Sequence, residues 1–242
     1  MEMDAPLSPI EVPMPLVREA FFCEQMHPQK WEYLLANGWR HNGHLVYRTS
    51  EEFGENDALL NVMPLRYDLN RFELTKKQQK IWRQNSDLTC FLHPLSIRDD
   101  IEALFAQHAS RFKYQIPSSV YDFVTGTDKP FPTYQFEIYK ADKLIALTFV
   151  DLTSYAISST YAMFDLNESK RSLGHFSMIL EMVYAKSKHR LWHYPGYAHR
   201  EPSHMDYKKQ YAGAEYLDWQ AWQWIDLPYA SDSVGTPLYG AH

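Results

Sequence analysis

Cysteine is nearly absent from this chain of 242 residues: Cys23 and Cys90 stand far apart and in no CxxC pairing. That excludes a disulfide framework and a cysteine-built zinc site. Long apolar runs are missing as well. No stretch approaches the roughly 18 uninterrupted apolar residues that a membrane helix needs. The N-terminus "MEMDAPLSPIEVPMPLVREAFF" opens on acids and prolines, where a secretory signal has basic residues and then an apolar run. A cytoplasmic location with no membrane attachment is the expectation. A surplus of positive charge is lacking too, since the formal net charge is −6. This speaks against a protein that coats nucleic acid non-specifically.

What is present is an ordinary globular composition with an aromatic excess: 45% hydrophobic, 22% charged, with 17 Tyr, 13 Phe and 7 Trp. The length allows two lobes. Positive charge is local. Lys170, Arg171, Lys186, Lys188, Arg190, Arg200, Lys208 and Lys209 face Glu181, Glu201 and Asp206 in one stretch, and Arg71, Lys76, Lys77, Lys80 and Arg83 face Glu73 in another. Two readings stand, solvated helix faces or contacts to a phosphate-bearing partner. His193, His199 and His204 follow no i, i+4 spacing, so no metal is expected.

Residues 1–20 are rich in proline and suggest an extended arm. "HPQKWEYLLANGW" predicts a helix with Pro28 in its first turn and Gly38 past its end. "HLVYRTS" and "LNVMPLRYDL" predict strands on either side of an acidic turn, "EEFGEND". "TKKQQKIWRQN" predicts a polar helix opened by Thr75. Cys90 and Phe91 are expected in the core, and Ile97, Ile101, Leu104 and Phe105 mark one face of a further helix. Residues 133–164 predict three antiparallel strands. A helix with Ser172 as its cap and the short strand "LWHYPGY" follow, and the aromatic segment "DWQAWQWIDLPY" closes a sheet, packs on the lobe or offers a partner surface.

The run "KLIALTFVDLTSYAISSTYAMFDLNESKRSLGHFSMILEMVYAK", followed by "HYPGYAHREPSHMDYKKQYAGAEYLD", resembles the C-terminal domain of the aminoacyl-tRNA-protein transferases, the eukaryotic arginyl-transferases and their bacterial leucyl relatives. The resemblance rests on Val150-Asp151, Tyr161 to Asp165, Ser172-Leu173-Gly174, Gly196-Tyr197, Met205, Tyr207-Lys208 and Tyr211, in that order. "EYLLANGWRHNGHLVYR" and "LTKKQQKIWRQNSDL" extend it upstream. It implies an α+β chain with a smaller N-terminal domain over residues 1–95, a GNAT-like catalytic domain over 96–228, and a tail over 229–242. It further implies that an aminoacyl group passes from a charged tRNA to the N-terminal amine of a protein, usually one beginning with Asp or Glu. No cofactor is implied for the transfer itself.

That chemistry needs a positioned amine, help in removing its proton, and stabilisation of the departing ribose oxygen. The expected catalytic residues are Asp151, Tyr207 and Lys208. Asp151 would orient the amine or take its proton, with a turn-forming role as the alternative. Backbone amides of Ser172, Leu173 and Gly174 could meet a phosphate of the acceptor end. Tyr197, Tyr207 and Tyr211 could stack on the terminal adenosine, with Tyr161 and Met205 as further substrate-binding positions. Lys208 and Arg40 could hold an acidic side chain or an RNA phosphate. The chain departs from the family in lacking the N-terminal cysteine cluster, and it has Pro202-Ser203-His204 where cysteine-proline-lysine is usual. A repurposed protein that binds a protein terminus or a small acyl donor without tRNA is the alternative. A coenzyme A enzyme is less well supported, because "RSLG" is only a fragment of the pyrophosphate loop it would need.

Overall fold

The computed structural model describes residues 15–54, 57–113, 116–125 and 130–228. Most of the expected proline-rich arm, and the expected tail over 229–242, lie outside the described residues. Strand β1 (Arg18–Phe22) precedes helix α1 (Pro28–Ala36), where His27 accepts from the Gln29 amide and Pro28 fills the first turn. Strands β2 (Arg40–Asn42) and β3 (Leu45–Thr49) join β1 in a three-stranded antiparallel sheet. The predicted acidic turn is partly strand: β4 (Glu51–Phe53) pairs with β5 (Leu59–Asp68). Helix α2 (Lys76–Gln84) starts at Thr75 as predicted, through a reciprocal capping box with Gln78.

Next come β6 (Thr89–Pro94) and α3 (Asp99–Ala109). The predicted meander is present as β7 (Thr133–Lys140), β8 (Lys143–Leu152) and β9 (Ala156–Phe164). Helix α4 (Leu173–Ser187) crosses over to β10 (Trp192–His199), which lies parallel to β9. A 3₁₀ turn (Asp206–Gln210), β11 (Ala214–Asp218) and β12 (Gln223–Asp226) follow. A meander, a crossover helix and a strand parallel to the last of the meander make the GNAT-type order expected, within an α+β fold.

Among the described residues the main sheet has nine strands, in the order β12-β11-β5-β10-β9-β8-β7-β6 with β4 on β5. It draws on both sides of residue 95, since β5 lies between β10 and β11. Helix α4 covers one face, burying Phe176, Ile179 and Met182 with Ile145, Val150 and Ile157, and α2 adds Ile81 to the same core. Helix α3 covers the other, where Ile101, Leu104 and Phe105 meet Leu147, Phe149 and Met163. Each such side chain stabilises the fold by roughly 1.5–3 kcal/mol. The expectation for Cys90 and Phe91 is corrected: β6 is the edge strand, so Phe91 is exposed and Cys90 half-buried.

A register shift sets the face on which the site forms. Val150 pairs with Ser159 and Phe149 with Tyr161, so β9 carries Thr160 as an extra residue. Before the bulge Ser159 faces α4, and after it Tyr161 faces α3.

Candidate functional site

Strands β9 and β10 pair over Trp192↔Ala156, His193↔Ile157 and Tyr194↔Ser158. Beyond Tyr194, β10 bulges and continues to His199 against β5 alone. The two strands therefore part just after Ser158. Gly196 turns there at φ +97°, a conformation that glycine adopts without strain. A side chain at that point would stand 3.5 Å from Lys208 Nζ and 3.6 Å from the Arg40 guanidinium.

Arg40 reaches the parting from β2. It donates to the Ser158 hydroxyl at 2.8 Å, to the Tyr194 carbonyl at 3.4 Å and to the Ser159 carbonyl. Backbone oxygens exposed by the divergence thus find a donor that the missing strand pairing would have supplied. Lys208 arrives from the 3₁₀ turn, its ammonium donating to the Tyr197 carbonyl at 3.1 Å. The Tyr67 hydroxyl fixes that turn by donating to the Lys208 carbonyl at 2.6 Å. Burial, with Arg40 adding to it, pulls the Lys208 ammonium down to about 8. Burial also lowers Arg40, which stays a cation.

Beneath the cations lies Glu181, on the buried face of α4. Its carboxylate accepts from the Thr148 hydroxyl at 2.7 Å and from the Ser159 hydroxyl, and lies 2.9 Å from His193 Nε2. His193 Nε2 is also 2.8 Å from Ser159 Oγ. His193 is fully buried, and its Nδ1 has no hydrogen-bond partner. The charge of Glu181 acts on Arg40, Lys208, Tyr67, Tyr207 and Tyr211.

Of the residues expected from the sequence, Arg40, Tyr197, Tyr207, Lys208 and Tyr211 gather here. Two of the tyrosines have a different role from the one expected. Tyr197 is buried, donates to the Gly38 carbonyl at 2.8 Å and stands edge-on to Tyr47. Tyr211 is 1% exposed, with its hydroxyl 3.0 Å from His175 Nδ1. Neither has a ring face open for stacking. Tyr207 is half-buried beside His175, and burial, reinforced by Glu181, raises its phenol to about 12.

The remaining expected residues lie apart from this cluster. Asp151 has no exposed surface and accepts from Trp31 Nε1 at 2.9 Å, His41 Nε2 at 2.8 Å and the Thr133 hydroxyl at 2.6 Å. Burial alone would raise its carboxyl, but His41 and these hydrogen bonds hold it below its ordinary value. A carboxylate so enclosed ties α1 and β2 to the main sheet and has no open approach for an amine. Tyr161 stacks on Phe123 at 3.9 Å on the α3 side of the sheet. Met205 packs with Met63, Leu65 and Ala198. Ser172 stands at φ +54° with its side chain making no cap to α4, and Leu173 is core. The first-turn amides of Leu173, Gly174 and His175 have no acceptor within the helix, which leaves that end suited to an anion.

Sequence reasoning missed Glu181, Ser159 and Thr148, and weighed His193 only as a metal ligand. The available signal was a lone acid inside the apolar helix "SMILEMVY". Cysteines associated with an iron-sulfur cluster in some family members have no counterpart: Cys23 packs around α1 and Cys90 against the α4 core, where burial raises its thiol to about 11. The residues present do not fit such a cluster. Among the described residues no three His, Cys, Asp or Glu side chains converge as a metal site would require, and no helix is long and apolar enough to cross a membrane.

The family model of the arginine-tRNA-protein transferase C terminus matches residues 101–218. An aspartate/glutamate leucyltransferase of Leptospira interrogans is 27% identical over 201 residues, covering 80% of this chain and 76% of the relative. A protein of the same description from Acinetobacter baumannii is 26% identical over 206 residues, covering 81% and 73%. Over these residues the chain is similar to the aminoacyl-tRNA-protein transferases. The family match spans the meander, α4, β10 and Lys208. Arg40 and β5 fall outside it. Among solved structures, L-PGS from Bacillus licheniformis is 10% identical with a TM-score of 0.44, over 76% of this chain and 55% of that one.

Proposed function

We propose that this chain transfers an aminoacyl group from the 3′ end of a charged tRNA to the N-terminal amine of a protein beginning with Asp or Glu, in the cytoplasm. One observation carries the reading: two cations, a hydroxyl and a buried carboxylate converge where β9 and β10 part. The naming of relatives as aspartate/glutamate leucyltransferases favours leucine as the group moved and acidic residues as the acceptors.

In this reading Lys208, with donors to spare beyond its bond to Tyr197, holds the acidic side chain of the acceptor. Arg40 is committed to the strand carbonyls and shapes the opening. Ser159 donates its proton inward to Glu181, so its oxygen lone pairs can accept from the incoming amine. As the amine nitrogen bonds to the ester carbonyl carbon, its surplus proton moves through Ser159 to Glu181. The carbon–oxygen bond to the ribose then breaks, and the ribose oxygen takes up that proton. A peptide bond and a free tRNA hydroxyl result, with no net proton left on the protein. His193 and Thr148 position the carboxylate, and Asp151 positions β2, from which Arg40 extends.

The test is transfer of labelled leucine or arginine from charged tRNA to peptides beginning with Asp, Glu or Ala. Transfer to the acidic peptides, with KM raised roughly tenfold or more in Lys208→Ala, is expected. A folded protein that transfers nothing from any charged tRNA overturns the reading.

A further inference from the structure

Helix α2 carries Lys76, Lys77, Lys80 and Arg83 and no acidic residue. Gln78, Ile81 and Asn85 are buried, and the helix packs by that face beside α4. The helical period places Lys76, Lys80 and Arg83 in one stripe on the opposite face, and all four cations are exposed. Among the described residues none of the four is in an ion pair. Asp87, the next acid along the chain, is engaged at both oxygens by Arg171.

This placement works against the helix itself. Lys76 and Lys77 lie in the first turn, where the helix dipole is positive and a cation is disfavoured. Thr75 and Gln78 hold the helix start without them. In a chain of net charge −6, a concentrated and unneutralised positive stripe has its use outside the fold.

The stripe also adjoins the site. Gln78 donates to the Gln210 carbonyl at 3.4 Å, the end of the turn that carries Lys208. At the other end of α2, Gln84 donates to the Lys170 carbonyl at 2.6 Å, which brings exposed Lys170 beside Arg83's end of the helix. Between them, His175 from the first turns of α4 lies 5.2 Å from the ring of Tyr207. A polyanion lying along α2 would therefore have its end at the parted strands.

We propose that the outward face of α2, extended by Lys170, docks the acceptor arm of the tRNA through its phosphates. This rests on the functional reading above. The docking is sequence-independent: cations displace condensed counterions, and the strand is led towards Lys208. An acidic protein surface is the competing occupant, and the experiment separates the two.

Binding of uncharged tRNA is measured across a KCl series for the wild type and for the triple variant Lys76→Gln, Lys80→Gln, Arg83→Gln. Each phosphate that is no longer neutralised by a side chain lowers the slope of log K against log salt by roughly 0.7–0.9. The expected result is a slope smaller by about 2 and affinity down at least tenfold at 0.1 M salt. Transfer from leucyl-adenosine, a donor without the arm, should be unchanged, which shows the variant folded and its site intact. An unchanged slope in a variant that still transfers overturns the docking surface and leaves the functional reading standing. So does an unchanged slope with a raised KM for the acidic protein acceptor, which assigns the stripe to the protein. A wild type that transfers from neither donor overturns the functional reading, and the docking surface with it.

Discussion

A glutamate at the centre of an apolar helix needs partners, and Glu181 has three: Thr148, Ser159 and His193. Leaving any of them unpaired in the interior costs about 1–3 kcal/mol, so the cluster is specified as a unit. Glu181→Gln keeps the shape but cannot take a proton. Its kcat should fall by about 10²–10³ with KM for the peptide little changed, measured by steady-state transfer. Lys208 gives a second expectation. Its ammonium is charged below about 8 and neutral above, so in the proposed mechanism its hold on an acidic side chain weakens as pH rises through that value. The peptide's amine becomes free over a similar range, so kcat/KM should rise and then fall, with the fall near pH 8. Lys208→Arg keeps its charge, and the falling limb should move above pH 10; an unmoved limb would assign it to another group. Arg40, Tyr207 and Lys208 were legible because motif order marked them. Ser159 and Glu181 were not, because their meaning depends on a bulge that turns Ser159 towards α4, and no local pattern announces an extra residue in a strand.

Elements that obey a simple period were the most legible. The meander, α2 and α4 appear where alternation and helical spacing put them. β1, β2, β4, β6 and β11 were missed; an edge strand such as β6 need not alternate, since most of its residues are exposed and its hydrogen bonds to β7 hold it in place. The start of α2 was legible at Thr75, because capping is local chemistry, while the reciprocal bond from Gln78 was not read. Thr75→Ala should cost about 1 kcal/mol in urea unfolding, and Thr75→Ser little. Gly196 is the corresponding fixed point of β10. An alanine there takes on left-handed strain of roughly 1–2 kcal/mol and sits against two cations. Gly196→Ala should therefore lower kcat/KM by more than its reduced stability explains, as judged by transfer assays at a temperature where both proteins are fully folded.

At the scale of the whole molecule, a main sheet flanked by α3 and α4 holds buried ionisable groups that set its response to acid. Burial keeps His108 neutral, its ring down to about 4. An unfolded chain takes that proton near 6.5, so stability falls as pH drops from 6.5 towards 4, on the order of 2 kcal/mol. Asp165 and Glu137 are held down at about 2 against the effect of burial, by Lys143 and Arg98 respectively. Their contribution is present above the ordinary carboxyl range and is lost as pH falls to about 2. Melting temperature against pH should show two descents, and His108→Gln should make the upper one shallower, since burial lowers His175 and His204 as well. The sequence division at residue 95 describes motif order, while the sheet is assembled from both sides of it. Long-range pairing of that kind leaves no trace in local pattern, which is why β5 reads as an ordinary strand. Its position also bears on how the chain is made. Tyr67 meets Lys208 across 141 positions, so on a ribosome β5 emerges long before the strands that flank it. A chain cut short before β10 carries an apolar strand that β4 pairs only at its start and that is open from Val62 on, a form that chaperones bind and proteases degrade. Truncated copies should therefore vanish from the cell instead of accumulating.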